Sequence, residues 1–429
     1  MVFLRFLSMA GWGRPETLPP NDFVGTWIQR PVLWISRMTR VDLLLEASEE
    51  ERKTPYLQII LFALGIRLAI LLLGYGVLVL DGQTPTLYEL FAAFRRGDSN
   101  HYLNIAAVGY SWTENDKNLL LVFFPLYAYL VRWVNVLVNN YLASAYLVSF
   151  SCFAFGLCYL YRLVRLEYKT SVAWWTLVLL SIAPHAFFFG TPMTESLFLL
   201  TTAATLYYIR THQWLLAGVA GAFAASTRMV GVILIIVAFV EFAMHYRVLS
   251  FIKEARWREL FRLLGRKGAW LFLMLAGSGV YLYLNWSVSG DPFQFLYYQR
   301  THWHNSFTYF GEVIRLQFHH VAHREQILVN TIFIPNILAF TLSVGMLLYG
   351  TIKRQSVTHI VYLLGYTFVS FSVSWLLSGG RYMTAAVPLF IFLAHFTEKH
   401  PALRILVPLA LLGGLIVTMR WYVLGGPVY

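Results

Sequence analysis

The sequence contains little cysteine, and this shortage excludes two classes of structure. Cys152 and Cys158 are the two cysteines among 429 residues, and both lie in one apolar segment. Two cysteines in this arrangement provide neither a disulfide framework nor a zinc site of four protein ligands. We expect both thiols to pack among apolar side chains.

Charge is also scarce. Only 13% of the residues are charged, whereas 58% are hydrophobic and 17% are aromatic. This composition excludes an ordinary soluble domain. Apolar stretches of about 17 to 25 residues, each long enough to cross a bilayer as a helix, recur from Leu57 to the C-terminus. The sequence therefore predicts an all-α polytopic membrane protein.

No cleavable signal peptide is evident, because Arg5 interrupts the first short apolar run and a polar stretch with prolines follows. We expect residues 1–56 to form a cytoplasmic segment that can lie on the inner membrane surface. Residues 57–429 should form the transmembrane domain. Within it we expect outer loops at 81–141 and 289–326 and a basic cytoplasmic loop at 246–268.

The net charge of +12 would favour nucleic-acid binding in a soluble protein. Here the basic residues concentrate in loops, where they orient the chain and meet anionic lipid headgroups. We therefore expect membrane lipids and no nucleic acid as partners.

One of the twelve apolar runs, Leu119–Val138, decides the topology. If it lies flat on the outer face, 22 of the 33 lysines and arginines fall in inner loops, 8 in outer loops and 3 within spans. If it crosses the membrane, the basic loop 246–268 faces outward, which the positive-inside rule disfavours. We therefore predict about eleven transmembrane helices, an inner N-terminus and a peripheral helix at 119–138.

Two of the predicted spans are short and meet at a polar break. Trp214–Ala225 and Val230–His245 are separated by Ser226-Thr227-Arg228. Such a break is tolerated at membrane depth only where it is buried in protein or lines a watery cavity. The break therefore indicates a site.

Carboxylates, arginines and aromatic residues gather on the predicted outer face. Asp98 is the leading candidate for a general base, with a helix N-cap as the alternative reading. Glu195 opens a span, where a carboxylate also suits the helix dipole. Arg228 and Arg381 lie at span edges, where arginines bind phosphate or reach toward headgroups.

Arg67 and a histidine pair are further candidates. Arg67 lies near the middle of the first span, where a charge is functional by default, but the sequence offers it no obvious partner. His319 and His323 could share a helix face as metal ligands. No glutamate follows His319 in the metalloprotease pattern, so hydrogen bonding is the favoured role.

Six short motifs occur in order along the membrane domain: Asp98–Tyr110, Phe123–Tyr127, Thr194–Phe198, Ala225–Arg228, Gly290–Trp303, and Gly380–Tyr382 with Pro388–Phe390. Together they resemble the motifs of the PIG-V-like mannosyltransferases, the family of GPI-anchor mannosyltransferase II and its bacterial relatives. Two positions depart from the family pattern. Gly97 replaces a tryptophan, which suggests a looser backbone, and Met193 replaces a tyrosine.

The resemblance implies a GT-C-type glycosyltransferase fold, with amphipathic surface helices around Leu87–Asn104 and Leu119–Val138. It implies inverting transfer of a hexose, with mannose favoured, from a polyprenyl-phosphate donor to a lipid, glycan or protein acceptor. The active site would face the non-cytoplasmic side of a membrane, and we favour a bacterial plasma membrane over the endoplasmic reticulum. No cofactor is required for this reaction, although a divalent metal stays open.

The resemblance also suggests roles for individual residues. Asp98 would be the catalytic base. The donor phosphate and sugar would contact Arg228, Arg381, Tyr382, Glu195 and Arg300, and the acceptor pocket would contain His101, Tyr102, Tyr127 and Trp303. The alternatives are a polytopic transporter or lipid flippase, since broken helices and intramembrane arginines also occur in carriers, and a non-catalytic scaffold.

Overall fold

The computed structural model of the protein describes residues 54–111 and 117–429. The expected cytoplasmic segment 1–56 therefore lies almost wholly outside the described residues. The described part is built from helices, with one isolated bridge between Phe307 and Val373. This architecture confirms the predicted all-α membrane fold.

The first half of the described chain contains nine α-helices. They are α1 (Tyr56–Leu80), α2 (Leu87–Ala93), α3 (Asp98–Val108), α4 (Pro125–Val138), α5 (Tyr141–Arg165), α6 (Thr170–Ser181), α7 (Glu195–Arg210), α8 (Trp214–Thr227) and α9 (Ile233–His245).

The second half continues with ten further helices of at least six residues in the described chain. They are α10 (Val248–Lys253), α11 (Trp257–Arg266), α12 (Leu273–Ser289), α13 (Gln294–His302), α14 (Phe310–His323), α15 (Ile334–Ile352), α16 (Val357–Ser370), α17 (Gly379–Thr384), α18 (Val387–Glu398) and α19 (Leu403–Val423).

Five helical stretches are long and apolar enough to cross a membrane: Tyr56–Leu80, Tyr141–Arg165, Gly268–Ser289, Gln326–Ile352 and Leu403–Val423. Shorter apolar helices of 10–17 residues accompany them, among them α6, α8, α16 and α18. Such lengths fall below the roughly 20 residues of a complete crossing. The five long stretches show that the described chain is an integral membrane protein. The count of eleven crossings stays a prediction.

The apolar run Leu119–Val138 folds in two pieces. A 3₁₀ turn at Leu119–Val122 is followed by extended Phe123 and Phe124, and Pro125 then begins α4 at a position where its missing N–H costs nothing. One face of α4 is buried, with Tyr127 and Val131 inside. Its 14 residues are fewer than a complete crossing needs, as in the other short apolar helices, and its position along the outer surface stays a prediction.

The predicted polar break between the two short spans is present. Arg228 is extended between the end of α8 and a 3₁₀ turn at Met229–Val232 that leads into α9. Gly231 makes the turn possible, because a Cβ there would lie 2.6 Å from the backbone of Ala224.

Arg67 holds α1 against the loop that follows α6. Its side chain is buried, its Nη1 donates to the carbonyl of Ala186 at 2.6 Å, and its guanidinium lies over the ring of Phe153. The partners that the sequence did not reveal are thus a backbone carbonyl and an aromatic face. These contacts give Arg67 a structural role in the packing of α1.

Candidate active site

Asp98 is the first residue of α3, and it does not cap that helix. The cap position belongs to Gly97, whose φ of +54° lies in the left-handed region that favours glycine. The N-cap alternative for Asp98 is therefore wrong. Gly97 thus has a structural reason: its positive φ permits the turn that leads into Asp98.

Arg381 bridges two carboxylates. Its Nη1 donates to Asp98 Oδ2 at 2.8 Å, and its Nε donates to Glu195 Oε1 at 2.6 Å. The arginine and Glu195 are buried, with side-chain exposures of 6% and 1%, whereas Asp98 keeps 38% of its side chain exposed. The bridge therefore has an inner and an outer end, and Asp98 is the outer one.

Arg228 adds a second cation to the buried end. Its Nη1 donates to Glu195 Oε1 at 3.0 Å, and its guanidinium lies 5.1 Å from the centre of the Tyr382 ring. The other carboxylate oxygen of Glu195 is buried and has no hydrogen-bond partner among the described residues. We name Asp98, Arg381, Glu195 and Arg228 the ion-paired cluster.

These contacts decide between a buried role and a surface role for the two arginines, and they show what the charge of Glu195 does. Arg228 and Arg381 do not extend toward headgroups, because both guanidinium groups are paired inside the protein. Glu195 does begin a helix, α7, but its charge is used by two arginines at once.

The short helix α17, which carries Arg381, is fixed by its neighbours. The backbone N–H of Gly380 donates to Asn336 Oδ1 at 3.0 Å. A Cβ on Gly380 would lie 2.6 Å from the ring of His185, so only glycine allows this approach. Phe188 supports the guanidinium of Arg381 from 4.8 Å.

The charge state of Asp98 follows from its surroundings. Burial would raise the pKa of this carboxyl, but the charge of Arg381 and its hydrogen bond outweigh burial, and His101 and Arg228 add to them. The pKa of Asp98 is therefore lowered from its ordinary value, and the group is a carboxylate at neutral pH. For Tyr102, burial and the nearby carboxylate of Asp98 raise the pKa, so its hydroxyl stays protonated.

Aromatic rings form a wall beside Asp98. His101 stacks on Phe123 with ring centres 4.7 Å apart, and Tyr102 and Trp303 meet the same ring edge-on at 5.3 and 6.1 Å. Phe123, from the Phe-Phe-Pro turn, joins residues of three segments but was not among the predicted site residues. Its position at the start of the motif Phe123–Tyr127 was the one sequence feature that could have indicated it.

Two predicted site residues lie elsewhere. Tyr127 is fully buried behind Tyr102, and its hydroxyl is engaged by Ala145 and Ser149, so it supports the aromatic wall without lining it. Arg300 is exposed on α13 and makes none of the ion pairs found among the described residues.

The sequence also failed to indicate two residues that pack against α17, the helix that carries Arg381. His185 packs beneath Gly380, and the Tyr366 hydroxyl donates to the carbonyl of Tyr382 at 2.9 Å. Neither position belongs to a motif, and only the tertiary structure brings these residues to the cluster.

Metal ligands are not assembled in the described parts of the chain, where no group of three or more His, Cys, Asp or Glu side chains could hold an ion. His319 and His323 share a helix face as expected, but their rings stack 4.2 Å apart and His323 Nδ1 lies 2.8 Å from the carbonyl of His319.

A lateral cavity opens near the polar break. It has a volume of about 900 Å³ and lies between α4, α8 and α12. Its walls include Trp133, Phe223, Tyr283 and Leu284, together with Ser226, which precedes Arg228 by two residues. Ser226 thus brings one wall of the cavity to within two residues of an arginine of the ion-paired cluster.

Comparison with known proteins gives one family match. The family model of dolichyl-phosphate-mannose-protein mannosyltransferase matches residues 124–260, about a third of the chain. This segment runs from the Phe-Phe-Pro turn through Glu195 and Arg228 to α11. No curated protein matches the chain.

Solved structures of an oligosaccharyltransferase from Archaeoglobus fulgidus show a distant similarity. The enzyme AglB in complex with an inhibitory peptide and a dolichol-phosphate is 11% identical, with a TM-score of 0.42 over 84% of this chain and 55% of that one. The apo form is 12% identical, with a TM-score of 0.43 over 86% and 57%. The chain thus spans little more than half the length of these enzymes, and TM-scores below 0.5 do not establish a shared fold.

Proposed function

We propose that the chain is a membrane glycosyltransferase with a GT-C-type fold. It transfers a hexose, in the first instance mannose, from a polyprenyl-phosphate donor to an acceptor hydroxyl on the non-cytoplasmic face. The observation that carries this proposal is the partly exposed carboxylate of Asp98 at the outer end of a buried ion-paired cluster. The match of residues 124–260 to a family of lipid-phosphate mannose transferases supports the same class of reaction.

The transfer is a single displacement with inversion at the anomeric carbon. The acceptor oxygen forms a bond to that carbon while the bond from the carbon to the phosphate oxygen breaks. The acceptor proton goes to Asp98, and polyprenyl phosphate leaves with the electron pair of the broken bond. Asp98 suits this role because its lowered pKa keeps it unprotonated and its exposure leaves it open to an acceptor.

Arg381 and Arg228 would stabilise the phosphate of the donor. Negative charge grows on the leaving phosphate, and cations fixed in a buried site stabilise such charge better than mobile ones in water. Arg381 holds Asp98 through Nη1, so an arriving phosphate competes with Asp98 for this guanidinium. Weaker pairing to Arg381 would raise the proton affinity of Asp98 as the donor binds. The donor would thereby help to activate the base.

Glu195 and the aromatic wall would hold the sugars. One oxygen of Glu195 positions both arginines, and its second oxygen, buried without a partner in the described chain, would accept from a sugar hydroxyl once the donor opens the cluster. The rings of His101, Tyr102 and Trp303 border Asp98 and suit the apolar face of an acceptor. The lateral cavity beside Ser226 would receive the first isoprene units of the donor. Arg300 is left without a role in this arrangement.

The proposal is tested with the purified chain in liposomes that contain polyprenyl-phosphate mannose and a mixture of glycolipid acceptors. A transferase releases polyprenyl phosphate and forms a mannoside of inverted anomeric configuration. A transporter or flippase would move the donor between leaflets and leave it intact, which would overturn the proposal. Polyprenyl-phosphate glucose, offered in parallel, determines whether the sugar is mannose.

A further inference from the structure

A helical hairpin lies at the end of the molecule opposite the ion-paired cluster. The helix α9 begins next to Arg228 and runs away from the cluster to His245. The short helix α10 and the helix α11 follow, and the chain returns into the membrane at Gly268. The segment 247–267 contains seven basic and two acidic residues.

Packing leaves a second apolar surface on α11. Leu260 is buried at 5% exposure, and Leu263 and Leu264 pack against the main core. Trp257 and Phe261, one turn apart, remain 48% and 67% exposed. An amphipathic helix that had buried its whole apolar face against the protein would not present a separate aromatic stripe.

An arginine stripe runs beside the aromatic one. Arg258, Arg262 and Arg266 recur every four residues and are exposed, so they share one face of α11. The two acidic residues of the hairpin, Glu254 and Glu259, both pair with Arg256. The hairpin therefore offers cations in excess of its own carboxylates.

Membrane depth distinguishes a lipid from other anionic partners. Trp270, 44% exposed, stands in the first turn of the span Gly268–Ser289, three residues after the hairpin. Tryptophan at a span end marks the headgroup level. Because α11 leads into that span, we expect its aromatic stripe at the boundary of headgroups and acyl chains, where arginines reach lipid phosphates.

We propose that α11 binds anionic phospholipid headgroups in the leaflet opposite the candidate active site, with Trp257 and Phe261 inserted and Arg258, Arg262 and Arg266 on the phosphates. This surface does not depend on the proposed transferase activity. The charge excess and the uncovered aromatic stripe together favour a lipid surface over an acidic protein, which would leave the stripe at membrane level unused.

The experiment uses the full chain, purified in detergent and stripped of lipid, with short-chain phosphatidylglycerol and phosphatidylcholine as probes and native mass spectrometry as the readout. We expect preferential retention of phosphatidylglycerol. The double variant Arg258→Gln/Arg262→Gln should lower its apparent affinity by roughly 25-fold, at about fivefold for each arginine near a charged surface. Phe261→Ser should weaken retention of phosphatidylglycerol as well.

The matched control is Lys353→Gln/Arg354→Gln, which removes two exposed charges from the loop after α15, at the same end of the molecule. The proposal requires this variant to retain phosphatidylglycerol to within about threefold of the unmodified chain. If both double variants lost affinity for phosphatidylglycerol equally, the effect would be one of general surface charge, and the proposed site on α11 would be overturned. Equal binding of the two lipids by the unmodified chain would overturn the charge selectivity.

Discussion

At the scale of single residues, Arg381 has a geometry that only arginine provides. Its Nε and Nη1 reach different carboxylates, Glu195 and Asp98, at 2.6 and 2.8 Å. The guanidinium is planar and forked, whereas an ammonium is a single point charge. Arg381 can therefore hold Asp98 at a fixed distance from the buried end of the cluster until an arriving phosphate competes for the same guanidinium.

We predict that Arg381→Lys loses most of the transfer activity, by about 100-fold or more in kcat/KM, because one ammonium cannot replace both hydrogen bonds and the phosphate contact. Steady-state kinetics with varied donor concentration measure this effect. The control is Arg315→Lys, at an exposed arginine paired with Glu312. Transfer by the Arg381→Lys variant at the unmodified rate would contradict a role for the forked geometry.

Gly97 is the residue that delivers Asp98. We predict that Gly97→Ala lowers the stability of the protein by about 1 kcal/mol, because the alanine would have to adopt a positive φ. No atom lies within 4 Å of the added Cβ, so the cost is one of backbone conformation. Thermal unfolding in detergent measures it.

The matched control for this substitution is Gly65→Ala within α1, where the Cβ also meets no atom within 4 Å and the backbone is helical. Alanine there should be neutral or slightly stabilising. Equal unfolding temperatures for the two variants would contradict the backbone argument.

At the scale of secondary-structure elements, a second buried charge cluster joins helices at the end away from Asp98. Arg210 donates to Glu167 and to Glu241, each at 2.7 Å, and His212 lies 3.1 Å from Glu241. Thr358, at the start of α16, donates to the other oxygen of Glu241. The sequence alone did not indicate this buried cluster, because its members lie far apart along the chain.

We predict that Arg210→Met destabilises the protein by about 3–5 kcal/mol, because it leaves two buried carboxylates without their cation. The melting temperature of the purified protein should fall, while transfer measured below that temperature should persist. Arg256→Met, which breaks exposed ion pairs on the hairpin, provides the comparison and should change the melting temperature little. A stable Arg210→Met variant would show that the cluster does not hold these elements together.

The sequence predicted the elements better than their contacts. Apolar length predicted membrane-spanning helices from Leu57 onward, and α1 is the first of them, because burial in a bilayer requires a continuous apolar run. The polar residues that interrupt the apolar pattern likewise predicted the break at Arg228. The sequence could not predict that Arg228 and Arg381 share Glu195, because these residues are 33 and 186 positions from it and meet only through packing.

At the scale of the whole molecule, polarity is divided between two ends. The ion-paired cluster and aromatic wall occupy one end, and the hairpin of α10 and α11 occupies the other. The positive-inside rule assigns the basic end to the cytoplasm. A site for lipid-phosphate sugars would then face the opposite compartment, and the first outer loop, with Asp98, would meet the acceptor there.

Cysteine labelling tests this orientation, since Cys152 and Cys158 are buried. We predict that a membrane-impermeant maleimide labels Gln83→Cys in intact cells and labels Ser250→Cys only after permeabilisation. Both positions are exposed, one in the loop after α1 and the other in α10. Labelling of Ser250→Cys alone in intact cells would show that the topology is the reverse of the predicted one.

If Asp98 removes the acceptor proton, its loss should show in the rate of polyprenyl phosphate release by Asp98→Asn at saturating donor and acceptor. Asparagine keeps the size of the side chain but cannot accept the proton, so the rate should fall by about 100- to 10,000-fold. Asp81→Asn, at an exposed aspartate of the same outer loop, should retain the full rate. An Asp98→Asn rate within twofold of the unmodified enzyme would rule out Asp98 as the base.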